Sequence, residues 1–306
     1  MVQILLAAYQ SESHLREQLD SVFAQTESGF ELLVHDGGST DATAEIIREY
    51  QLHYPGKIRD LGSSRASALE NFALLLAAAD GEYFMYCDHD DVWLPDKIRL
   101  SLEAFKRAEA EYGSTTPLLL FTDSEVVDHE MNRIAPSLMR YQKLQYSDFS
   151  PSRLIVQNAA SGHTMLFNRA LKELLLPIPA GALYHDHWTA LAASFFGKII
   201  YVDTPTVRYR QHGSNVLGAF RYGLGSFCRK LSAGRVEIRE RFARNMDQAA
   251  ALLELHGEKL SANDRRLLDD LRRYRRMGWL ERRRFLCKYR LKKNGMLRNI
   301  GMFLFT

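Results

Sequence analysis

Through the first 123 residues, apolar runs alternate with segments whose apolar positions recur at helical spacing. Val2–Ala8 is a largely apolar run and predicts a buried strand. Ser11 then offers an N-cap before Leu15, Leu19, Val22 and Phe23, spaced as on one helix face. Glu31–His35, centred on Leu32-Leu33-Val34, predicts a second strand and Ala42–Leu52 a helix. Lys57–Leu61 reads as a weak third strand, and Ala66–Ala79 as an Ala/Leu-rich helix that stops before Asp80-Gly81. Tyr83–Cys87 predicts a further strand, Trp93-Leu94-Pro95 the start of another helix, and Leu118–Thr122 one more strand. Strands alternating with helices of this length imply crossover units. The expected class is α/β, with a mostly parallel central sheet flanked by helices.

Residues 124–160 mix Tyr, Gln, Ser and Pro without a clear period and predict a segment that wraps the sheet edge or forms a loop. Thr164–Phe167 resumes a strand pattern, and Arg169–Leu176 predicts a short helix ended by Pro177-Ile178-Pro179. Residues 185–196 look helical, and Lys198–Val202 and Thr206–Arg210 look like two strands. From Phe220 the pattern changes to long helices rich in Arg, Leu and Ala. The predicted boundary falls near Gly218, dividing a body (1–218) from a basic, mainly α-helical C-terminal region (219–306).

With 306 residues, 46% of them hydrophobic, the chain can bury one sizeable core and carry an appended unit. Its net charge of +3 conceals a split. Residues 221–306 hold 22 Lys+Arg and 9 Asp+Glu, a balance of +13, which leaves 1–220 at −10. No run of about 18 apolar residues is present, so no spanning helix is expected. Met1–Ala8 has no basic leader, and no secretory signal is expected. Cys87, Cys228 and Cys287 are far apart and odd in number, which fits a reduced, cytosolic setting.

Candidate chemistry gathers where predicted strands end. The Tyr83–Cys87 strand runs into Asp88-His89-Asp90-Asp91, three carboxylates within four residues. A hard divalent cation relieves such repulsion, because Mg²⁺ takes one or two carboxylates and fills its shell with water and phosphate oxygens. The competing reading is an acidic turn opening the next helix. After the second strand comes His35-Asp36-Gly37-Gly38-Ser39-Thr40-Asp41, a glycine turn at the carboxyl end where ligands bind in open α/β sheets. Asp36 is a candidate acceptor for a base or ribose and Asp41 a helix cap; a Gly-rich turn with a helix cap is more often structure than site. Neither a Gly-x-Gly-x-x-Gly turn after strand one nor a Gly-x-x-x-x-Gly-Lys-Ser/Thr loop occurs, which argues against dinucleotide and P-loop folds.

Asp186 sits in Tyr184-His185-Asp186-His187-Trp188, an aromatic frame that would raise its pKa toward that of a general base; it also suits a helix cap. Trp188 or Tyr184 is placed to stack on a sugar. His212 is a candidate further metal ligand. Arg210 and Arg65 are candidate phosphate partners, with surface ion pairs as the alternative. His163 is either near an acceptor or a satisfied half-buried histidine.

As a set, Ala8-Tyr9, Asp36–Asp41 and Asp88-His89-Asp90-Asp91-Val92-Trp93 resemble the start of a family 2 glycosyltransferase. Asp91-Val92-Trp93-Leu94-Pro95-Asp96-Lys97 is similar to the bacterial rhamnosyltransferase branch. Ser161-Gly162-His163-Thr164, His185-Asp186-His187-Trp188 and Tyr209-Arg210-Gln211-His212-Gly213-Ser214-Asn215-Val216 continue the likeness, in order, over residues 2–218. The resemblance implies a GT-A nucleotide-diphospho-sugar transferase fold and inverting, metal-dependent transfer. The implied reaction moves L-rhamnose from dTDP-L-rhamnose to a glycan or lipid-linked glycan in bacterial surface polysaccharide synthesis. A UDP-hexose donor is one alternative. A sugar nucleotidyltransferase is another, but Ala7-Ala8-Tyr9-Gln10-Ser11 lacks the Gly-rich basic loop such an enzyme needs.

The resemblance implies roles for individual residues. Ala8, Tyr9, Asp36, Arg65, Asp88, His89 and Arg210 would meet the nucleotide sugar. Asp88, Asp90 and His212 would hold Mg²⁺ or Mn²⁺, Asp90 most directly. Asp186 would be the general base, and Gly162, His163 and Trp188 would lie at the sugar or acceptor. One departure is Gly37, where the family usually has Asp; that contact is missing or supplied otherwise, for instance by His35.

The basic region interleaves Arg272-Arg273-Tyr274-Arg275-Arg276 and Arg282-Arg283-Arg284 with Trp279, Leu280, Phe285, Leu286 and Leu291. That is the composition of an interfacial helix on anionic lipid. A bundle packed on the acidic body and a nucleic-acid surface are the alternatives. Nucleic acid leaves the acidic motifs without a role. The expected partners are therefore a nucleotide-sugar donor, an acceptor and an anionic membrane surface, for a cytoplasmic protein peripheral to the inner face of the cell membrane.

Overall fold

In a computed structural model of the chain, residues 1–144, 147–211 and 235–306 are described. The first half of the sheet is parallel: β1 (Val2–Ala8), β2 (Phe30–Asp36), β3 (Ile58–Ser63) and β4 (Tyr83–Asp88) lie in the order β3-β2-β1-β4. The second half is mixed. It contains β5 (Val92–Trp93), β6 (Leu118–Val127), β7 (Arg133–Ala135), β8 (Met165–Asn168) and β9 (Lys198–Arg210). Strand β8 runs antiparallel between β4 and β6, β6 is parallel to β9, and β5 and β7 add antiparallel edges to β9 and β6. The expected parallel sheet thus holds for the crossover half and gives way beyond β4.

Period-two alternation divides β1 between two layers. Ile4, Leu6 and Ala8 face α1 (Leu15–Phe23), α2 (Thr43–His53) and, further along the sheet, α4 (Lys97–Tyr112). Leu5 and Ala7 face the layer of α3 (Ala68–Ala78). Ser67 caps α3 reciprocally with Glu70. Ser11 does not cap α1 with its hydroxyl. Its carbonyl accepts from His14 and Leu15, while its N–H and hydroxyl meet Thr43, so it ties α1 to α2. Asp41 accepts from Thr43 N–H and fixes the start of α2.

Residues 124–160 are more ordered than their composition suggests. Strand β6 continues to Val127, followed by β7 and the short helices α5 (Leu138–Tyr141) and α6 (Pro151–Leu154). The two strands expected at 198–210 are one strand whose pairing with β6 shifts register around Asp123. Buried Asp123 accepts from Ser137 Oγ and Met139 N–H, so a carboxylate inside the strand hides its alternation. After the short α7 (Arg169–Lys172), α8 (His185–Phe196) lies on the α3 side of the sheet.

The C-terminal helices are α9 (Arg235–His256), α10 (Ala262–Arg272), α11 (Trp279–Lys288) and α12 (Met296–Phe305). Phe242, Met246, Leu268, Leu271, Tyr274, Phe285 and Leu286 join the core formed with α3 and α8. Among the described residues of the basic region most apolar side chains therefore face the body, and many arginines line the outside of a packed bundle. Arg275 pairs with Glu240 and Asp247, and Lys288 with Asp270. The boundary expected near Gly218 lies outside the described residues. Among the described residues no helix is long and apolar enough to cross a membrane.

Helix α8 turns into β9 through Gly197, where an added Cβ would lie 1.8 Å from the Pro117 carbonyl oxygen. Gly197→Ala should cost about 1–3 kcal/mol in urea unfolding, as overpacking does. Gly257→Ala, whose Cβ would meet nothing closer than Leu253 at 3.5 Å, should be near neutral.

Candidate active site

Strands β1, β2 and β4 end side by side: Ala8 pairs with Asp36, and Ala7 with Asp88. Their turns open on one edge. Asp36 is buried and accepts from Ser39 N–H (3.1 Å) and the hydroxyls of Ser39 (2.5 Å) and Ser63 (2.8 Å). Gly37 N–H bonds to the Ala8 carbonyl at 2.8 Å. A Cβ at Gly37 would stand 2.7 Å from Asn71 Nδ2, and Gly38 has φ +86°. Asn71 therefore fills the room a larger residue at 37 would need. His35 is buried between Asn71 Oδ1 and Ser64 Oγ, so it does not replace the missing carboxylate. An open cavity of about 430 Å³ beside the turn is lined by Tyr9, Gly37, Arg65, Ala66, Ser67 and Glu70.

At the end of β4 the geometry differs from the expected donor pair. Asp88, Asp91 and His163 present ligand atoms within 4.8 Å of one another, and Asp90 is not in this group. His163 Nδ1 lies 3.7 Å from both Asp88 Oδ2 and Asp91 Oδ2. His163 is itself buried, stacked on Tyr209 with its Nε2 2.9 Å from Ser124 Oγ; it backs the carboxylates rather than meeting an acceptor. Asp91 is sealed from solvent. Its Oδ1 accepts from Arg210 N–H at 3.1 Å, and its Oδ2 has no hydrogen-bond partner.

Burial, then the charges of Asp90 and Asp88, push the Asp91 carboxyl well above its ordinary value. Burial works the same way on Asp88, but neighbouring His163, His185 and His89 outweigh it and hold Asp88 below the ordinary value. An orphaned buried oxygen beside a second carboxylate and an imidazole suits a divalent cation.

Asp186 lies in the first turn of α8, after the N-cap Tyr184. It accepts N–H bonds from His187 (2.6 Å) and Gly162. Burial, with the nearby charge of Asp88, raises Asp186 to about 7. Gly162 is close-packed: an added Cβ would meet His185 Nε2 at 2.7 Å and Asp186 Cβ at 3.4 Å. Burial lowers His185 to about 4, so its ring, stacked 3.6 Å from Phe72, is neutral.

Two expected contacts are corrected. Trp188 is fully buried, and its indole N–H donates to Leu175 O, so it cannot stack on a sugar. Arg210 is buried, its guanidinium given to Glu17, Asp90 O and His129 O; it braces the acidic loop instead of meeting a phosphate. Tyr9 and Arg65 stay exposed at the cavity, and His89 Nδ1 lies 3.3 Å from Ala7 O. His212 lies outside the described residues. Sequence reasoning missed Asp91 as a donor, since its four-residue run has no period to show which carboxylate turns inward.

The family model described as "Glycosyl transferase family 2" matches residues 3–175. Among relatives, an uncharacterized glycosyltransferase of Nostoc is 26% identical over 70% of this chain and 66% of its own length. The dTDP-rhamnosyl transferase RfbG of Shigella flexneri is 27% identical over 70% of this chain and 74% of its own. The chain spans 60–66% of the length of the first curated relatives it matches. TarS of S. aureus superposes with TM-score 0.57 at 19% identity, covering 87% of this chain and 68% of that one. A Pyrobaculum calidifontis mannosyltransferase in complex with GDP-Man and Mn²⁺ gives 0.53 at 17%, covering 88% and 78%. These likenesses show a shared GT-A fold.

The donor group is testable. Without cation, Asp91→Asn should raise the melting temperature at pH 8, because a carboxyl whose pKa is raised by folding costs stability at pH above its unfolded value. Added Mn²⁺ should stabilise the unsubstituted protein and Asp90→Asn, and leave Asp91→Asn unmoved, in the same thermal-shift assay.

Proposed function

The chain belongs to glycosyl transferase family 2, and we propose that this glycosyltransferase carries out inverting transfer of L-rhamnose from dTDP-L-rhamnose to a lipid-linked glycan, at the inner face of a bacterial cell membrane, in surface polysaccharide synthesis. One observation carries the reading: Gly162 packs on Asp186 and its neighbour His163 lies 3.7 Å from Asp88, so one turn joins the two carboxylates, and burial with the charge of Asp88 raises Asp186 to about 7. The candidate base and a carboxylate of the candidate cation group are thus neighbours, which supports the reading. The likeness to RfbG supports the donor. A second reading, a UDP-hexose donor, is supported by the TarS complex with UDP-GlcNAc.

In the proposed reaction the acceptor hydroxyl gives its proton to Asp186 as its oxygen attacks the anomeric carbon. The bond to the diphosphate breaks on the opposite face, and the configuration inverts with no covalent intermediate. His187 and Gly162 N–H groups hold the Asp186 carboxylate in place. The nucleotide is assigned to the cavity of Tyr9, Arg65 and Gly37, with Asp36 ordering the turn beneath it. Asp88, Asp91 and His163 would hold a divalent cation, Mg²⁺ or Mn²⁺, which supplies positive charge to the departing diphosphate.

In a thermal-shift panel of nucleotide sugars with and without Mn²⁺, dTDP-L-rhamnose should give the largest cation-dependent shift. A larger shift with a UDP-hexose selects the second reading, and no shift with any donor removes both. Because Asp186 must be ionised, turnover should rise with pH through about 7 and then level off. A cation at Asp88 trims the smaller, electrostatic cause and leaves burial. Asp186→Asn should keep donor binding and lose at least about 10²-fold in kcat, the usual scale for a general base.

A further inference from the structure

Most apolar side chains of the C-terminal bundle are buried or half-buried, but among the described residues six large ones are exposed. Met296, Ile300, Phe303 and Leu304, at the spacing of one face of α12, and Trp279 and Leu280, opening α11, are between 42% and 74% exposed. Elsewhere large exposed apolar residues stand apart in sequence, as Leu52 and Ile134 do. Here Arg283 joins the two helices into one surface. Its guanidinium lies 4.4 Å from the Trp279 ring centroid and 5.5 Å from that of Phe303, and it donates to the Thr306 carbonyl at 2.6 Å.

The surroundings are cationic. Residues 276–306 contain nine Lys+Arg and a single acidic residue, Glu281, whose carboxylate accepts the Gly278 N–H. Arg276, Arg284, Arg290 and Lys292 are exposed and form no ion pair among the described residues.

We propose that the α11–α12 surface docks on an anionic lipid bilayer, with Trp279, Leu280 and the exposed face of α12 in the headgroup boundary and the unpaired cations against lipid phosphates. A tryptophan and aliphatic face rimmed by arginine and lysine is the chemistry of interfacial helices. The surface is rooted near the candidate base. Asn294 N–H donates to Gln157 Oε1 (2.8 Å) and Arg298 to Gln142 O (2.7 Å), while Leu154 O in the same segment accepts from His187, next to Asp186. The proposal deepens, and rests on, the reading that the acceptor is carried on a lipid.

Co-sedimentation of the full chain with vesicles tests it without any turnover. The chain should bind phosphatidylglycerol-rich vesicles, bind pure phosphatidylcholine at least tenfold more weakly, and lose binding as salt rises. The combined variant Met296→Ser, Ile300→Ser, Phe303→Ser, Leu304→Ser should bind at least tenfold more weakly, with unchanged circular dichroism and an unchanged donor-induced thermal shift. Arg284→Glu with Lys292→Glu should do the same and provides a check that leaves the apolar face intact. Failure of the unsubstituted chain to bind anionic vesicles, or undiminished binding by either variant, overturns the proposal. So does a concentration-dependent dimer abolished by the serine variant in the absence of vesicle binding, which would assign the face to a second copy. Each outcome is read separately from the donor panel, so lipid docking and sugar transfer stand or fall apart.

Discussion

Where β4 leaves the sheet, three carboxylates follow one another within four residues, and the fold withdraws Asp91 from water altogether. A buried carboxylate is tolerated only with hydrogen bonds and compensating charge. Much of the surrounding architecture serves that need. Strand β9 pairs with β5 at Val92 and Trp93, which brings its last residue, Arg210, over the acidic loop. Arg210 gives its backbone N–H to Asp91 and its side chain to Asp90 O, His129 O and Glu17. Beneath the loop, burial lowers sealed Lys97 to about 7, and its ammonium lies 4.7 Å from the Trp93 ring. What these groups leave unmet is one oxygen of Asp91, turned toward Asp88 and His163.

The same crowding separates the site's carboxylates by chemistry. Asp88 stays ionised beside three imidazoles, whereas Asp186, in the first turn of α8 and close to that charge, holds its proton up to about 7. Environments that push two acids apart are how one fold provides both an anion and a base. Gly162 is part of the arrangement because it lets His185 and Asp186 approach the 3₁₀ turn closely and donates its N–H to the carboxylate.

The strands and helices of the first half were legible in the sequence because apolar spacing and turn residues agree there. So was the placement of Asp36 and Asp88 at neighbouring strand ends, since ligand chemistry in such sheets sits there. What was not legible is which way individual side chains turn. Asp90 and Asp91 are indistinguishable in a short polar run, and only β9, distant in sequence, decides that Asp91 goes inward. Trp188 resembles a sugar platform until Leu175 is found to take its N–H. Asp203-Thr204-Pro205 looks like a break between strands, yet β9 passes through it with a shift of register. In the basic region, an amphipathic pattern cannot say whether a protein core or a bilayer receives the apolar face; both answers apply, to different residues.

Gly37 and Asn71 carry an energetic implication. The asparagine amide occupies the space beside the glycine and also binds His35, so the three positions form one interlocked unit. An acidic residue at 37 would displace the Asn71 amide, and with it release the histidine from its hold. Substitutions at 37 and 71 are therefore coupled: the effect of one depends on which side chain already stands at the other.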